Sequence, residues 1–346
     1  MKKVVTFGEV MVRLAPSEHY RFVQACPGSM DLTFGGAESS VAASISILGG
    51  SSRFVSALPQ HAIADAFVSQ MRGFKVDVDH VLRRETGRFG IYYVETGANQ
   101  RPSRVIYDRD YSAVSMCSGE EYDWDAIFAD AQWLHISGIT LAISETAAQA
   151  AILAAEKAQA VGIKVSCDLN FRKNLWRWRS GSDARSLARS VMPDFLENVN
   201  VIIGNEEDAA DVLDIHAGDT DVHSGSLEIA HYPDVARQIA QRFNNVDQVA
   251  ITLRESISAT HNNWGAMLFN VCSDTAVFAP MNGKQYEPYE IRNIVDRVGG
   301  GDSFAAGLIY AMTTKDFASA QDQVDFAVAA SCLAHSVKGD FNYNSR

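Results

Sequence analysis

The chain has 346 residues, 47% hydrophobic and 21% charged, with a formal net charge of −12. That balance suits a large globular protein with an ample core and argues against general disorder. The acidic surface excludes nucleic acid and anionic lipid as main partners.

Five cysteines (Cys26, Cys117, Cys167, Cys272 and Cys332) are scattered without a CxxC pair. A zinc site and a disulfide framework are both unsupported, and free thiols in a reducing cytoplasm are the simplest account. The N-terminal apolar run is too short for a signal peptide, and no stretch reaches the length of a membrane span.

In chain order, residues 4–7 read as a buried strand ending at Gly8 and Glu9, with a second strand segment over 10–14. The glycine turn 34–37 leads into a small-residue helix over 39–48, stopped by Gly49 and Gly50. A strand at 52–57 and a helix at 62–72 follow. Two β-rich runs, 89–95 and 104–109, flank the polar loop 96–103 and predict a hairpin. It interrupts an otherwise alternating βα pattern, as a lid would.

From residue 132 the alternation is regular. Strands are expected at 132–136, 165–169, 201–203 and 249–253, and helices at 144–161, 182–193, 206–213 and 235–243. A hairpin of 266–270 with 276–279 follows, then helices at 303–312 and 321–336. The polar segment 214–232 carries His216, His223 and His231 at spacings that fit no metal motif, and reads as a solvated loop. Repeated strand–helix units predict an α/β fold, with a mostly parallel sheet covered by helices on both faces.

The run VGGGDSFAAG, residues 298–307, carries the most chemistry. Gly299, Gly300 and Gly301 remove side chains from a turn, so that backbone N–H groups can approach a ligand. The apolar stretch that follows is helical in character, which places the turn at a helix N-terminus that attracts anions. Asp302 there is placed to take a proton from a hydroxyl that attacks the anion. A plain helix cap is the competing reading, but one glycine would satisfy it.

Four polar or glycine clusters are expected at successive strand ends. They are Asp168 to Arg172, Asn205 to Asp208, Thr252 to Arg254, and Val298 to Asp302, the last after a strand at 294–296. Together they would line one crevice beyond the carboxyl ends of the strands, where such folds bind nucleotides and phosphates. On the hairpin, Tyr107 and Arg109 are two apart and share a strand face, with Tyr92 as a facing neighbour. Arg109 and Arg172 offer planar forks for a carboxylate. The alternative is that the tyrosines are sheet packing and Arg109 is solvated. No P-loop, GxSxG or GxGxxG pattern occurs.

With these motifs in place, the chain resembles the ribokinase-like (PfkB) carbohydrate kinases over nearly its whole length. The likeness rests on VVTFGE at 4–9, FGGAESSVA at 34–42, RVIYDRDYSA at 104–113, LHISGI at 134–139, DLNFR, NEED, TLRES and DRVGGGDSFAAG. It implies one doubly wound α/β domain over 1–346, with a small β-sheet lid formed by about 9–35 and 86–116. It implies transfer of phosphate from ATP, with Mg²⁺, to a sugar hydroxyl, and within the family it points to kinases of 2-keto-3-deoxygluconate.

The implied roles follow the motifs. Asp302 is similar to the base, and the amides of Gly299, Gly300 and Gly301 to the anion hole. Asn170, Asn205, Thr252 and Arg254 match positions near ATP or its metal. Gly36, Tyr92, Tyr107, Arg109 and Arg172 match the sugar-acid contacts, and Asp340 in KGDFN matches a segment close to them. Ser40 and Asp208 stand where the family commonly has Asn and Glu.

A monovalent cation, held by carbonyls near Asp296 and Val298, is a further cofactor that the resemblance raises and the sequence leaves open. A homo-oligomer, joined through the exposed lid sheet, is expected. A kinase of a neutral sugar and a non-catalytic sugar or nucleotide sensor share the scaffold and remain as alternatives.

Overall fold

Strands that are apolar on successive residues need cover on both faces, and here the intervening helices supply it. The computed structural model describes residues 2–216 and 229–346. It begins with β1 (Lys3–Phe7), β2 (Met11–Ala15), the single turn α1 (Phe22–Ala25), β3 (Asp31–Gly35), α2 (Ala37–Ile47), β4 (Ser52–Val55), β5 (Ala57–Pro59) and α3 (Ala62–Gly73). Next come β6 (Leu82–Arg84), β7 (Gly90–Glu95), β8 (Arg104–Asp108), α4 (Trp124–Phe128), β9 (Ala131–Ser137), α5 (Gly138–Ala142) and α6 (Glu145–Ala160). β10 (Lys164–Asp168), α7 (Ala184–Leu196), β11 (Val201–Gly204), α8 (Glu206–Leu213) and α9 (Tyr232–Arg242) complete the alternating part. The chain closes with β12 (Gln248–Ser258), β13 (His261–Asn270), β14 (Thr275–Ala279), β15 (Met281–Asn282), β16 (Gln285–Tyr286), β17 (Tyr289–Arg292), α10 (Gly300–Thr313) and α11 (Ala320–Ala334).

The main sheet runs in the order β14-β13-β12-β11-β10-β9-β1-β4, with β17 beside β13. It is parallel from β12 to β4 and antiparallel from β12 to β14. Neighbouring residues point to opposite faces. Val5 and Phe7, Leu134 and Ile136, Ile202, and Val249 and Ile251 enter one core with α6, α7 and α9. Val4, Trp133, Val201, Ile203 and Ala250 enter the other with α2, α10 and α11. Each fully buried large side chain contributes roughly 1.5–3 kcal/mol, so both faces are held independently.

A second sheet, in the order β3-β2-β7-β8, contains the expected hairpin. Tyr92 and Tyr107 are paired across it. One face, with Met11, Ala15, Tyr92 and Val94, forms its own small cluster. The other packs Val12 and Phe34 against Phe67 of α3. From the first face the buried Arg13 reaches out of β2 to Asp340 at 2.8 Å and to Asp296. This ties the small sheet to the loop before α10 and to the C-terminal segment.

Four expectations about local structure are corrected. The strand expected at 52–57 stops at Val55, and 57–59 pair instead with β6. The strand expected at 249–253 runs to Ser258, because β13 pairs with it along its whole length. Residues 294–296 form no strand: the Ile294 and Val295 amides bond to the carbonyls of Thr260 and His335 in a loop. The solvated loop is shorter than expected, since Ile229–His231 make a helical turn and Tyr232 is buried at the start of α9. His216 is exposed beside Asp214, and His223 lies outside the described residues.

Candidate active site

The glycine run does what its composition demands. Gly299 is the N-cap of α10 at φ +81°, a left-handed conformation, and a Cβ there would collide with the Asp340 carbonyl. No side chain caps the helix, so its first N–H groups have no acceptor within the helix. Ser303 Oγ donates to the Gly299 carbonyl at 2.8 Å, and Ser331 Oγ to the Gly300 carbonyl at 2.6 Å. Those bonds occupy the carbonyls of the turn. At Gly301 the nearest atom to a hypothetical Cβ is Asp168 Oδ2 at 4.0 Å, so the turn opens onto the cavity.

Asp302 lies in the first turn of α10. Its carboxyl reaches the cavity but is walled by protein, and burial, reinforced by Asp340 and opposed by Arg172, pushes its pKa up to about 7. Asp168, the last residue of β10, is pushed well up by burial, with Asp208 and Asp302 adding to the effect. Burial also raises Asp340, against the pull of Arg13 and Tyr92. These carboxyls share one region, where charge on Asp208 and Asp302 disfavours charge on Asp168 and charge on Asp340 disfavours it on Asp302.

Asn205 caps α8, its Oδ1 accepting from the Asp208 N–H at 2.8 Å while Asp208 accepts from the Asn205 N–H at 3.2 Å. The other oxygen of Asp208 accepts from the Phe171 N–H at 2.9 Å. This fastens the turn after β10 to the turn after β11. Asn170 in that turn sits at φ +39°, a conformation asparagine tolerates.

The small sheet forms the facing wall. The Tyr92 and Tyr107 rings are 6.4 Å apart, and the Arg109 guanidinium lies 5.4 Å from the Tyr107 ring centre. Arg109 is buried, which removes the solvated alternative. Its fork is not free either: Nε donates to Glu9 Oε2 at 2.7 Å, and one terminal nitrogen bonds the same oxygen. Glu9 Oε1 is buried with no partner. Tyr92 donates its hydroxyl proton to Asp340. Gly36 caps α2 where a Cβ would collide with the Glu9 carbonyl.

One cavity of about 400 Å³ is bordered by every site residue expected from the sequence. They are Gly36, Tyr92, Tyr107, Arg109, Asn170, Arg172, Asn205, Thr252, Arg254, Gly299, Gly300, Gly301, Asp302 and Asp340. Only the first two polar clusters follow strands as expected. Thr252 and Arg254 lie within β12, and Val298 follows a loop. The same cavity is lined by residues the sequence reading left unassigned, among them Glu9, Ile139, Trp264 and Arg297. Glu9 lies in the turn just after β1 and Arg297 directly precedes the valine of the glycine run, so position alone could have flagged both. Among the described residues no group of three or more His, Cys, Asp or Glu could hold a metal ion. Asp296, near the expected monovalent-cation site, is bonded by Arg13, the Val298 N–H and the Gly339 N–H.

The profile of the pfkB family carbohydrate kinases matches residues 1–344. The chain belongs to that family. This pfkB-family kinase is 31% identical over 339 residues to 2-dehydro-3-deoxygalactonokinase of Haloferax volcanii, covering 98% of this chain and 92% of that protein. It is similar to the crystal structure of 2-dehydro-3-deoxygluconokinase from Thermotoga maritima, with 42% identity and a TM-score of 0.88 over 100% of this chain and 97% of that one. A fructokinase of Salmonella typhimurium is 24% identical over 343 residues, 97% of this chain and 94% of that protein. Among the described residues no helix is long and apolar enough to cross a membrane.

Proposed function

We propose that this carbohydrate kinase transfers the γ-phosphoryl group of ATP to the terminal hydroxyl of 2-keto-3-deoxygluconate, giving the 6-phosphate. The observation that carries the proposal is Asp302. It is a cavity-facing carboxyl raised to about 7, one residue after an uncapped glycine turn, in a cavity that Arg172 lines beside it and Arg109 and two tyrosines line from the small sheet. Asp302 takes the hydroxyl proton, and the hydroxyl oxygen bonds to the γ-phosphorus. The bond from that phosphorus to the bridging oxygen breaks, and ADP departs with the electron pair. The N–H groups of Gly299, Gly300 and Gly301 hold the charge on the transferred group.

Arg172 and the Arg109–Glu9 pair receive the acid end of the sugar. The acidic-sugar assignment follows the two relatives named for keto-deoxy sugar acids, and the galactonate-derived epimer fits the same reading. Asn170, Asn205, Thr252 and Arg254 form the nucleotide half of the cavity. Magnesium, which neutralises charge on the phosphate oxygens when bound, needs only one or two carboxylates besides those oxygens, and Asp168, bordering the cavity beside Gly301, fits that role. We read the chain as one domain in which 9–35 and 86–116 form a lid that excludes water, the competing acceptor.

A coupled ADP-release assay across sugars tests the substrate. Turnover with the keto-deoxy acids and not with fructose or ribose is expected. Turnover with fructose or ribose alone replaces the acid substrate with a neutral one, in line with the fructokinase relative.

A further inference from the structure

Among the described residues Arg172, Arg254 and Arg297 line the cavity without an ion pair; Arg172 acts on the charges of Asp168, Asp208 and Asp302, which leaves Arg254 and Arg297. Arg254 stands on β12 opposite Trp264, and Arg297 lies in the loop before α10. Both border the cavity beside Thr252, Asn205 and the glycine turn. Elsewhere the chain pairs its arginines freely, on the surface as at Arg88 with Asp108 and in the interior as at Arg13 with Asp296. With 42 acidic against 30 basic side chains, acids are not scarce. Five carboxylates border the same cavity, Glu9, Asp168, Asp208, Asp302 and Asp340, yet none of them pairs with Arg254 or Arg297.

Arg297 is also held in place. One terminal nitrogen donates to the Ser258 carbonyl at 3.0 Å and to Asn262 Oδ1 at 2.6 Å, while Nε is buried without a partner. Burial and the neighbouring Arg254 both work against its charge. His335, packed behind Gly300, is kept towards neutral by burial, though its bond to the Ser331 carbonyl resists this, and by the same two arginines. Two cations held side by side in a partly dry wall repel each other until an anion enters. The adjoining feature is the uncapped N-terminus of α10, whose free N–H groups suit a second anionic group.

We propose that Arg297, together with Arg254, clamps the polyphosphate of the nucleotide, so that the diphosphate leaving group is neutralised by this pair while the glycine turn holds the group in transit. Planar guanidinium forks suit phosphate oxygens, and negative charge grows on the departing oxygen during transfer. The inference rests on the kinase reading above and adds a residue to it. Arg297 is fixed by the tip of the β12–β13 hairpin, so the hairpin's unexpected length has a use.

The test is calorimetric titration of the full chain with ATP, ADP and AMP in magnesium buffer, alongside steady-state kinetics. Arg297→Ala, Arg297→Lys and Arg297→Gln are compared with wild type. Arg297→Ala should weaken ATP and ADP by about tenfold to a hundredfold. AMP binding and the acceptor KM should stay within about threefold, and Arg297→Lys should recover part of the loss. Arg297→Gln keeps an amide for Ser258 and should bind ADP as poorly as Arg297→Ala, which separates phosphate binding from support of the loop. Equal weakening of AMP and ATP, or a raised acceptor KM with nucleotide binding intact, overturns the clamp. If wild type binds ATP and every variant binds it equally, the clamp fails and the kinase reading stands. If wild type binds no ATP, both fail.

Discussion

An aspartate with an ordinary pKa is a poor proton acceptor near neutrality, because it binds the proton too weakly. Asp302 escapes that limit through burial, with Asp340 adding like charge, and its pKa rises to about 7. kcat/KM should therefore fall by about tenfold per pH unit below about 7, with a midpoint shared among the coupled carboxyls. Asp302→Asn should lose about 10²–10⁴-fold in kcat while still binding ATP. The same shift has a sign for stability. The folded pKa lies above the ordinary aspartate value of 3.8, so the group supports folding fully below that value and the support is lost as pH rises through about 7. Asp302→Asn should melt with wild type near pH 4 and above it once pH passes about 7, as a thermal scan against pH would record. Arg109 needs a different probe. Removing it alone strands Glu9 as a buried charge, at about 3–5 kcal/mol, which confuses folding with binding. The pair Arg109→Ala with Glu9→Gln should fold and raise KM for the acid sugar while leaving KM for ATP unmoved.

At the scale of elements, the site depends on contacts between segments far apart in the chain. Arg13 of β2 joins Asp296 and Asp340 across separations of 283 and 327 residues. Tyr92 of β7 meets Asp340 from the same side. One buried guanidinium thus fixes the small sheet, the approach to the glycine turn and the C-terminal segment in a single register. Arg13→Ala leaves two buried carboxylates unpaired and should cost about 3–5 kcal/mol in urea unfolding. Arg13→Met with Asp340→Asn removes charge from both sides and should recover part of that loss. If Arg13→Ala unfolds at the wild-type urea concentration, the network does not hold these elements together.

For the whole molecule, the decisive property is that an acidic chain gathers Arg109, Arg172, Arg254 and Arg297 around one cavity. The strand–helix alternation, the two-sided apolar strands and the glycine run were all legible in the sequence. Each is a local pattern: side chains repeat every two residues in a strand, and an N-terminus needs only a few consecutive residues to declare itself. Resemblance to a known family then ordered the scattered motifs into one site. The length of β12, the loop at 294–296, the Arg109–Glu9 pair and the unpaired Arg254 and Arg297 were not legible. Each of these depends on a partner supplied, or withheld, by a distant segment. β12 extends because β13 is long enough to pair with it, and residues 294–296 form no strand because the Ile294 and Val295 amides bond instead to the Thr260 and His335 carbonyls. Composition counts charges without showing which ones meet, so which arginines are neutralised inside the protein and which are left for a ligand was decided only by the packing of the two sheets.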